Sequence, residues 1–484
     1  MTDRGKSTRP DLTSGPIGKS LLLFTIPTLV SNILQSLNGS INAVWVGRFL
    51  GENALAATAN ANIIMFLMFS VIFGFGMAAT VLIGQAVGAK DIDGARRAFG
   101  SAVGFCFCLS MIVAIGGWVG TPALLRVLAT PEPAYPLALI YLRVIFVAMP
   151  ASLLGIMMMM GLRGAGDSVT PLRFMILTVL LDAGLNPLFI MGLGPIPAMG
   201  IAGSAAATAI AGFVSFIALT AYTYHKDLPL RLRGPELAYL RPDMAQLKIL
   251  IGKGLPMGLQ MIVMSASGLV MIGLVNREGL LTTAAYGAAQ QLWTYLQMPA
   301  MAIGAGVSAM AAQNVGAGRW DRVGRITGSG LLFNCLITGG MIGVLLLFDR
   351  PALALFLGSH SPAIEAARHM QYLASWSFLL FGLTMVLFGT MRANGVVVIP
   401  LVILAIALYP VRLGFYHWMY PHIGADALWI SFPVGSFTSL VLAGAVYLQG
   451  GWKKVQLMVP PHEEECREKL NADSEPAGRM SPTG

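Results

Sequence analysis

About twelve apolar stretches, each long enough to cross roughly 30 Å of hydrocarbon, recur between Ile17 and Gln449 with short polar connections between them. Nothing else in the sequence restricts the fold so strongly. A backbone in lipid has to satisfy its own N–H and C=O groups, which leaves helices and closed barrels. The ten-residue alternation of a barrel strand is absent, so the stretches read as helices. A composition of 56% hydrophobic and 11% charged residues agrees, lying far from that of a soluble domain. We expect spans at 17–46, 54–86, 97–119, 136–161, 170–191 and 199–224, then at 247–275, 282–312, 326–348, 364–391, 397–418 and 426–449. The fold class is therefore an all-α integral membrane protein of twelve transmembrane helices.

Charge sets the expected orientation. Lys90, Arg96 and Arg97 follow span two, Arg163 span four, Lys226, Arg231, Arg233 and Arg241 span six, and Arg319, Arg322 and Arg325 span eight, whereas the opposite connections carry few, such as Arg48, Arg126 and Arg277. Positive loops stay in the cytoplasm, so both termini are expected there, with the chain multi-pass in the inner (cytoplasmic) membrane. The net charge of +9 is spread among these loops rather than massed in a patch, which argues for topology and against nucleic acid. Residues 1–16 read as a polar cytosolic tail without the apolar core of a signal peptide. The domains expected are a six-helix bundle at 17–224, a cytosolic linker at 225–246, a second bundle at 247–449 and a tail at 450–484. Cys106, Cys108, Cys335 and Cys466 form no disulfide framework or zinc spacing.

The halves repeat. At an offset of 229, Pro27 meets Pro256, Gly39 meets Gly268, Arg163 meets Arg392, Gly166 meets Gly395 and Pro171 meets Pro400. With one residue of slip, QAVGAKDIDGARRAFG (85–100) aligns with QNVGAGRWDRVGRITG (313–328). Six spans per unit, an even number, make the repeats parallel, with a central cleft between two lobes. Glycine pairs at four-residue spacing, Gly84/Gly88, Gly100/Gly104 and Gly324/Gly328, read as helix contacts.

Within span five, Asp182 sits near the middle of an apolar helix. A carboxyl group there costs about 2.5–3.5 kcal/mol on insertion scales, so such residues mark ion or substrate paths. Asn186 follows one turn later on the same face. Spans five and six meet at a short turn near 192–200, and Asp182 and Thr208 lie about equally far from it, so they can be neighbours. No base on span five is nearer than Arg173. A lone carboxyl group in a membrane lowers its desolvation cost by taking a proton. Sodium, which needs several oxygen ligands, also fits Asp182, Asn186 and Thr208 with Asn42 as a fourth. A third reading makes Asp182 a protonated hydrogen-bonding bridge between helices.

Several motifs in order resemble the multidrug and toxic compound extrusion (MATE) family in its bacterial form: Pro27 followed by VWVGRFLGENALAA (44–57), GQAVGAKD (84–91), LRGAGDSVTP (162–171), LNPLFI (185–190) and GIAGSAAATA (200–209). The resemblance covers nearly the whole chain. It implies two bundles of six helices and efflux of organic, often cationic or amphipathic, small molecules by alternating access, coupled to entry of a proton or sodium ion. The branch with a cation site in the N-terminal bundle is the nearest. There the first helix usually has Asp where this chain has Asn42, and the fifth reads Asn-x-x-x-Asp; here it reads Asp182-Ala-Gly-Leu-Asn186, and Thr208 matches the family threonine. One acid remains where two are usual, which favours the proton. In the other branch the C-bundle acids would fall near Met264 and Gly382, and neither is acidic.

Span one carries Thr28, Asn32, Gln35, Gly39 and Asn42 along one stripe, and Asn32, Gln35 and Asn38 are expected to face the substrate cavity. The repeat turns that stripe into Met257, Met261, Met264, Gly268 and Met271, a pliable wall for varied apolar substrates or a packing surface. Pro27 is expected to let the first helix bend, or to serve packing alone. Arg412 lies inside span eleven, able to meet a backbone carbonyl or an anionic group. Asp91-Ile-Asp93 hints at a membrane enzyme holding a diphosphate, but only Asp93 recurs in the repeat, as Asp321, and a helix cap suits the loop better. A flippase for a lipid-linked or amphiphilic substrate is the nearer alternative. No resident cofactor or metal is expected; the partners are small molecules and the bilayer, around a monomer.

Overall fold

The computed structural model describes residues 12–128, 130–192, 197–358 and 360–454, and the described chain is helical without strands. The expected tails fall outside the described residues over 1–11 and 455–484, Cys466 included. The first six helices are α1 (Ile17–Leu50), α2 (Glu52–Gly88), α3 (Ile92–Val127), α4 (Tyr135–Gly164), α5 (Val169–Met191) and α6 (Ile201–His225). After a 3-10 turn at Gly234–Leu240 come α7 (Met244–Val275), α8 (Leu280–Gly316), α9 (Trp320–Leu347), α10 (Asp349–Leu357), α11 (Ala363–Ala374), α12 (Ser377–Ala393), α13 (Val398–Ile406), α14 (Arg412–Ile423) and α15 (Asp426–Gln449).

Ten helices among the described residues are long and apolar enough to cross a membrane, and α11 with α12, bent by 41° at their break, makes an eleventh. The expected span at 282–312 corresponds to α8, 37 residues without a charge, which falls short of the apolarity of the others. Its hydropathy is lowered by Thr282, Thr283, Gln290, Gln291, Thr294 and Gln297 in its first half, while its second half, rich in Ala and Gly, packs against α1, α2 and α12. A span enclosed by other spans gains from small residues that let backbones approach. The short α10, with Leu353 buried, has no counterpart among the expected spans.

In the first lobe α3 packs on α4, α4 on α2 and α6, and α5 on α6 and α1; in the second, α8 packs on α12 and α9, α12 and α14 on α15, and α7 on α13. The lobes meet where α2 touches α7 and α8, and where α1 touches α8. The repeat maps α1 onto α7 and α2 onto α8, so the α2–α7 contact is mirrored by α8–α1, as parallel repeats require.

The seam closes tightest at the end carrying Lys90 and Arg319. A Cβ on Gly88 would overlap the Gln313 carbonyl, and one on Gly316 would overlap the Gln85 carbonyl. Gln85 Nε2 donates to Ala393 O at 2.6 Å, and Gln313 Nε2 donates to Gly164 O at 2.9 Å. The repeated Gln-x-Val-Gly is thus a reciprocal clamp between lobes. Of the three expected glycine pairs, only Gly84/Gly88 acts as a helix contact, Gly84 meeting Ala312 and Gly88 meeting Gln313. Gly100 and Gly104 instead admit the backbone of Tyr239 and Leu240, and Gly324 and Gly328 face open space. The segment 225–246 is accordingly docked on the first lobe, with Arg96 paired to Glu236 and the Tyr239 hydroxyl donating to Asp93 at 2.8 Å. Asp91 caps α3, its Oδ1 accepting from Gly94 N at 2.8 Å, so both carboxylates of Asp91-Ile-Asp93 are engaged within the fold.

Candidate functional site

Asp182 is fully buried in the middle of α5, the one buried acid among the described residues. Its carboxylate accepts four hydrogen bonds, two per oxygen. Oδ2 takes Asn38 Nδ2 at 2.7 Å and Asn42 Nδ2 at 2.8 Å, both from α1. Oδ1 takes Asn186 Nδ2 at 2.9 Å from its own helix and Thr208 Oγ1 at 3.0 Å from α6. The local geometry follows from sequence: Asn38 and Asn42, and Asp182 and Asn186, are each one turn apart, and Ser204, Ala205 and Ala207 keep α6 thin where it meets α5. Close approach lets a hydroxyl as short as that of Thr208 reach across.

Every donor in this shell is neutral, and no ion pair among the described residues involves Asp182. Hydrogen bonds to a carboxylate are worth roughly 1.5–3 kcal/mol each, about twice those to a neutral group. The shell therefore holds three helices together most firmly when the group is ionised. Asn38 Oδ1 and Asn186 Oδ1 are buried beside it with no partner. Two amide oxygens next to a carboxylate are the donor type that a hard cation takes. No cluster of three His, Cys, Asp or Glu able to hold a metal occurs among the described residues.

Asn186 and Thr208 are thus brought onto Asp182, as helix period and hairpin depth anticipate, and Asn42 joins them from the position where the resembling family carries an acid. Asn38, expected in the cavity, is placed on the carboxylate instead, because one turn before Asn42 is the α1 position nearest to Asp182. The rest of the stripe diverges: Thr28 is buried against Phe24 O, Asn32 is half-buried, and Gln35 is exposed. Pro27 lies inside α1, and its carbonyl accepts from Ser31 Oγ at 2.8 Å. Met257, Met261 and Met264 line a cavity of about 50 Å³ at the seam together with Met77, Met301 and Met385 from three other helices. Those three have no signal in the sequence, because no methionine stripe at helical spacing runs through them on α2, α8 or α12. Of the two places where C-bundle acids would fall, Met264 lies in this wall, and a Cβ on Gly382 would overlap the Asn334 amide.

The MatE family profile matches twice, at residues 27–188 and 256–417, two segments that begin 229 residues apart, the offset of the internal repeat. The chain is similar to the probable multidrug resistance protein YoeA of Bacillus subtilis, 35% identical over 443 residues that cover 91% of this chain and 95% of the relative. It is 30% identical to the probable multidrug resistance protein YpnP of the same organism, over 92% and 98% of the two chains. Among solved structures, the outward-facing conformation of a multidrug resistance MATE family transporter of the MOP superfamily superposes with a TM-score of 0.84 at 19% identity, covering 93% of this chain and 100% of that one. At that identity the likeness is one of fold.

Proposed function

Because the chain belongs to the MatE family of membrane transporters, we propose that it is a multidrug exporter driven by cation entry, with the Asp182 carboxylate as the coupling group. The observation that carries the reading is the four-donor shell, which ties α1 to α5 and α6 through one ionisable group. When a proton arrives, the bonds from Asn38 and Asn42 lose their charge assistance, and a proton on Oδ2 removes an acceptor that both share. The hold on α1 weakens, and Pro27, eleven residues away and lacking a backbone N–H, is where the helix can bend. Release of the proton restores the shell. Binding of the ion and the shape of the cavity are thereby linked.

The substrates are organic cations and amphipathic molecules, for which the methionine wall at the seam offers polarizable, adaptable contacts. The protein works as a monomer in the cytoplasmic membrane with both termini inside, and the Gln85–Gly316 and Gln313–Gly88 clamp then closes its cytoplasmic end. Sodium is the second reading, favoured by the unpartnered Asn38 and Asn186 amide oxygens. A flippase would call for a row of bases along the central cleft, and Arg392 is the one base lining the methionine cavity.

Reconstituted protein is expected to move ethidium against an inward proton gradient. Asp182→Asn keeps the size of the side chain but leaves no carboxylate to take a proton, so transport should stop while folded yield stays near wild type. Full export by that variant would refute the assignment.

A further inference from the structure

The second lobe holds a charge of opposite sign at almost the same place in the repeat. Arg412 is the one buried base among the described residues, 6% exposed, and Ala183, its repeat equivalent, is the neighbour of Asp182. No ion pair involves it, and its Nε and Nη2 are buried without any hydrogen-bond partner. An unpaired guanidinium within a span is costly, so its presence asks for a partner that comes and goes.

The fold is arranged around it. A π-helical turn at Ala407–Val411, containing Pro410, breaks the helix immediately before Arg412, a type of irregularity that recurs at functional sites. Gly435 on α15 packs against this turn, since a Cβ there would come within 3.1 Å of the Ala407 carbonyl, and the Arg412 side chain lies beside it. The guanidinium lies over the Phe432 ring, 3.6 Å from its centroid, and lines a cavity of about 170 Å³ inside the lobe. One face of α8 supplies the opposite wall with Tyr286, Gln290, Trp293 and Gln297. The Trp293 indole is already committed to Gln371 Oε1 at 2.8 Å and Ser375 Oγ at 3.1 Å, which fixes its ring as an aromatic wall rather than as a donor.

We propose that this cavity binds aromatic anions, the carboxylate or phosphate of the ligand pairing with Arg412 and its ring lying among Trp293, Tyr286 and Phe432. A planar guanidinium already stacked on a ring presents its edge to a two-oxygen acceptor. The N-lobe acid and the C-lobe base then serve different ligands or different ends of one zwitterion, so the substrate range extends beyond cations.

Binding of 1-naphthoate, 1-naphthyl phosphate and 1-naphthylmethylammonium to the purified full chain, by calorimetry and by melting temperature, tests this. Arg412→Gln should weaken binding of the better anion by at least about tenfold, the scale of one charge-assisted contact, and leave the ammonium within about twofold. Arg412→Lys should restore part of it. Without ligand, Arg412→Gln should melt no lower than wild type, because it removes an unpaired buried charge. Whichever anion binds more tightly identifies carboxylate or phosphate as the preferred group. Equal anion binding by wild type and Arg412→Gln, or no anion binding by wild type, would overturn the proposal. Should Arg412→Gln fail to fold, the wild-type melting temperature must still rise with an anion and not with the ammonium at equal concentration, and failure of that overturns the proposal too. None of these readouts depends on Asp182, so ethidium export by Asp182→Asn would count against the antiport reading and leave this site standing.

Discussion

Asp182 was legible in the sequence because ionisable groups inside apolar helices are rare and expensive, and its partners Asn186 and Thr208 followed from helix period and hairpin depth. Asn38 was harder to place, since a stripe drawn at three- and four-residue steps passes equally well through Gly39, and only the approach of α1 to α5 selects between them. The structure gives Asn38 and Asn42 the same acceptor, Asp182 Oδ2. Replacing either by Ala removes one of four donors that favour the ionised carboxylate. One charge-assisted bond between α1 and α5 is then lost, and ethidium export should fall by about tenfold while folded yield stays near wild type. Export at the wild-type rate in either variant would show that these amides do not serve the coupling group. The methionines can be separated from this chemistry. Changing Met257, Met261 and Met264 together to Ala should alter which cations are exported more than it alters proton coupling, as a transport panel across cations of different shape would record; an unchanged panel would make them packing residues.

At the scale of elements, the spans were readable from apolar length, but three features were not. The break between α11 and α12 has no Pro or Gly and coincides with Ser375, whose hydroxyl joins Gln371 and Trp293 in a network assembled from two distant parts of the chain. The π turn before Arg412 carries a sequence cue, Pro410, but proline alone does not say which distortion results. The glycines that matter most were hidden among equals: the sequence offers three pairs at four-residue spacing, and tertiary packing alone separates Gly88, pressed on Gln313, from Gly324 in open space. This clamp makes a prediction. Gly88→Val or Gly316→Val should separate α2 from α8 at the charged end of the seam, and a cysteine placed there should react with a membrane-permeant maleimide several times faster than in wild type. Unchanged labelling with normal yield would mean that the clamp does not hold the lobes together.

For the whole molecule, the repeat explains why so much could be read early. Two copies of one six-helix plan fix the count, the parity and the seam, and the paired family matches fall at the offset that the residues themselves give. What the repeat conceals is divergence. Equivalent helices carry an acid in one lobe and a base in the other, and equivalent stripes carry amides in one and thioethers in the other. The second lobe's Tyr286, Gln290, Trp293 and Gln297 keep the steps of four, three and four that mark a helix face, yet no repeat partner drew attention to them, because their chemistry exists on one side only. The proposed function has ion entry at Asp182 coupled to movement of the first lobe's α1. It is tested most directly by proteoliposomes carrying a pH indicator, in which proton movement and ethidium movement are followed together for wild type and Asp182→Asn without sodium. The account predicts proton counterflow that starts with ethidium transport in wild type and is absent in Asp182→Asn; ethidium transport in wild type with no proton counterflow would contradict it.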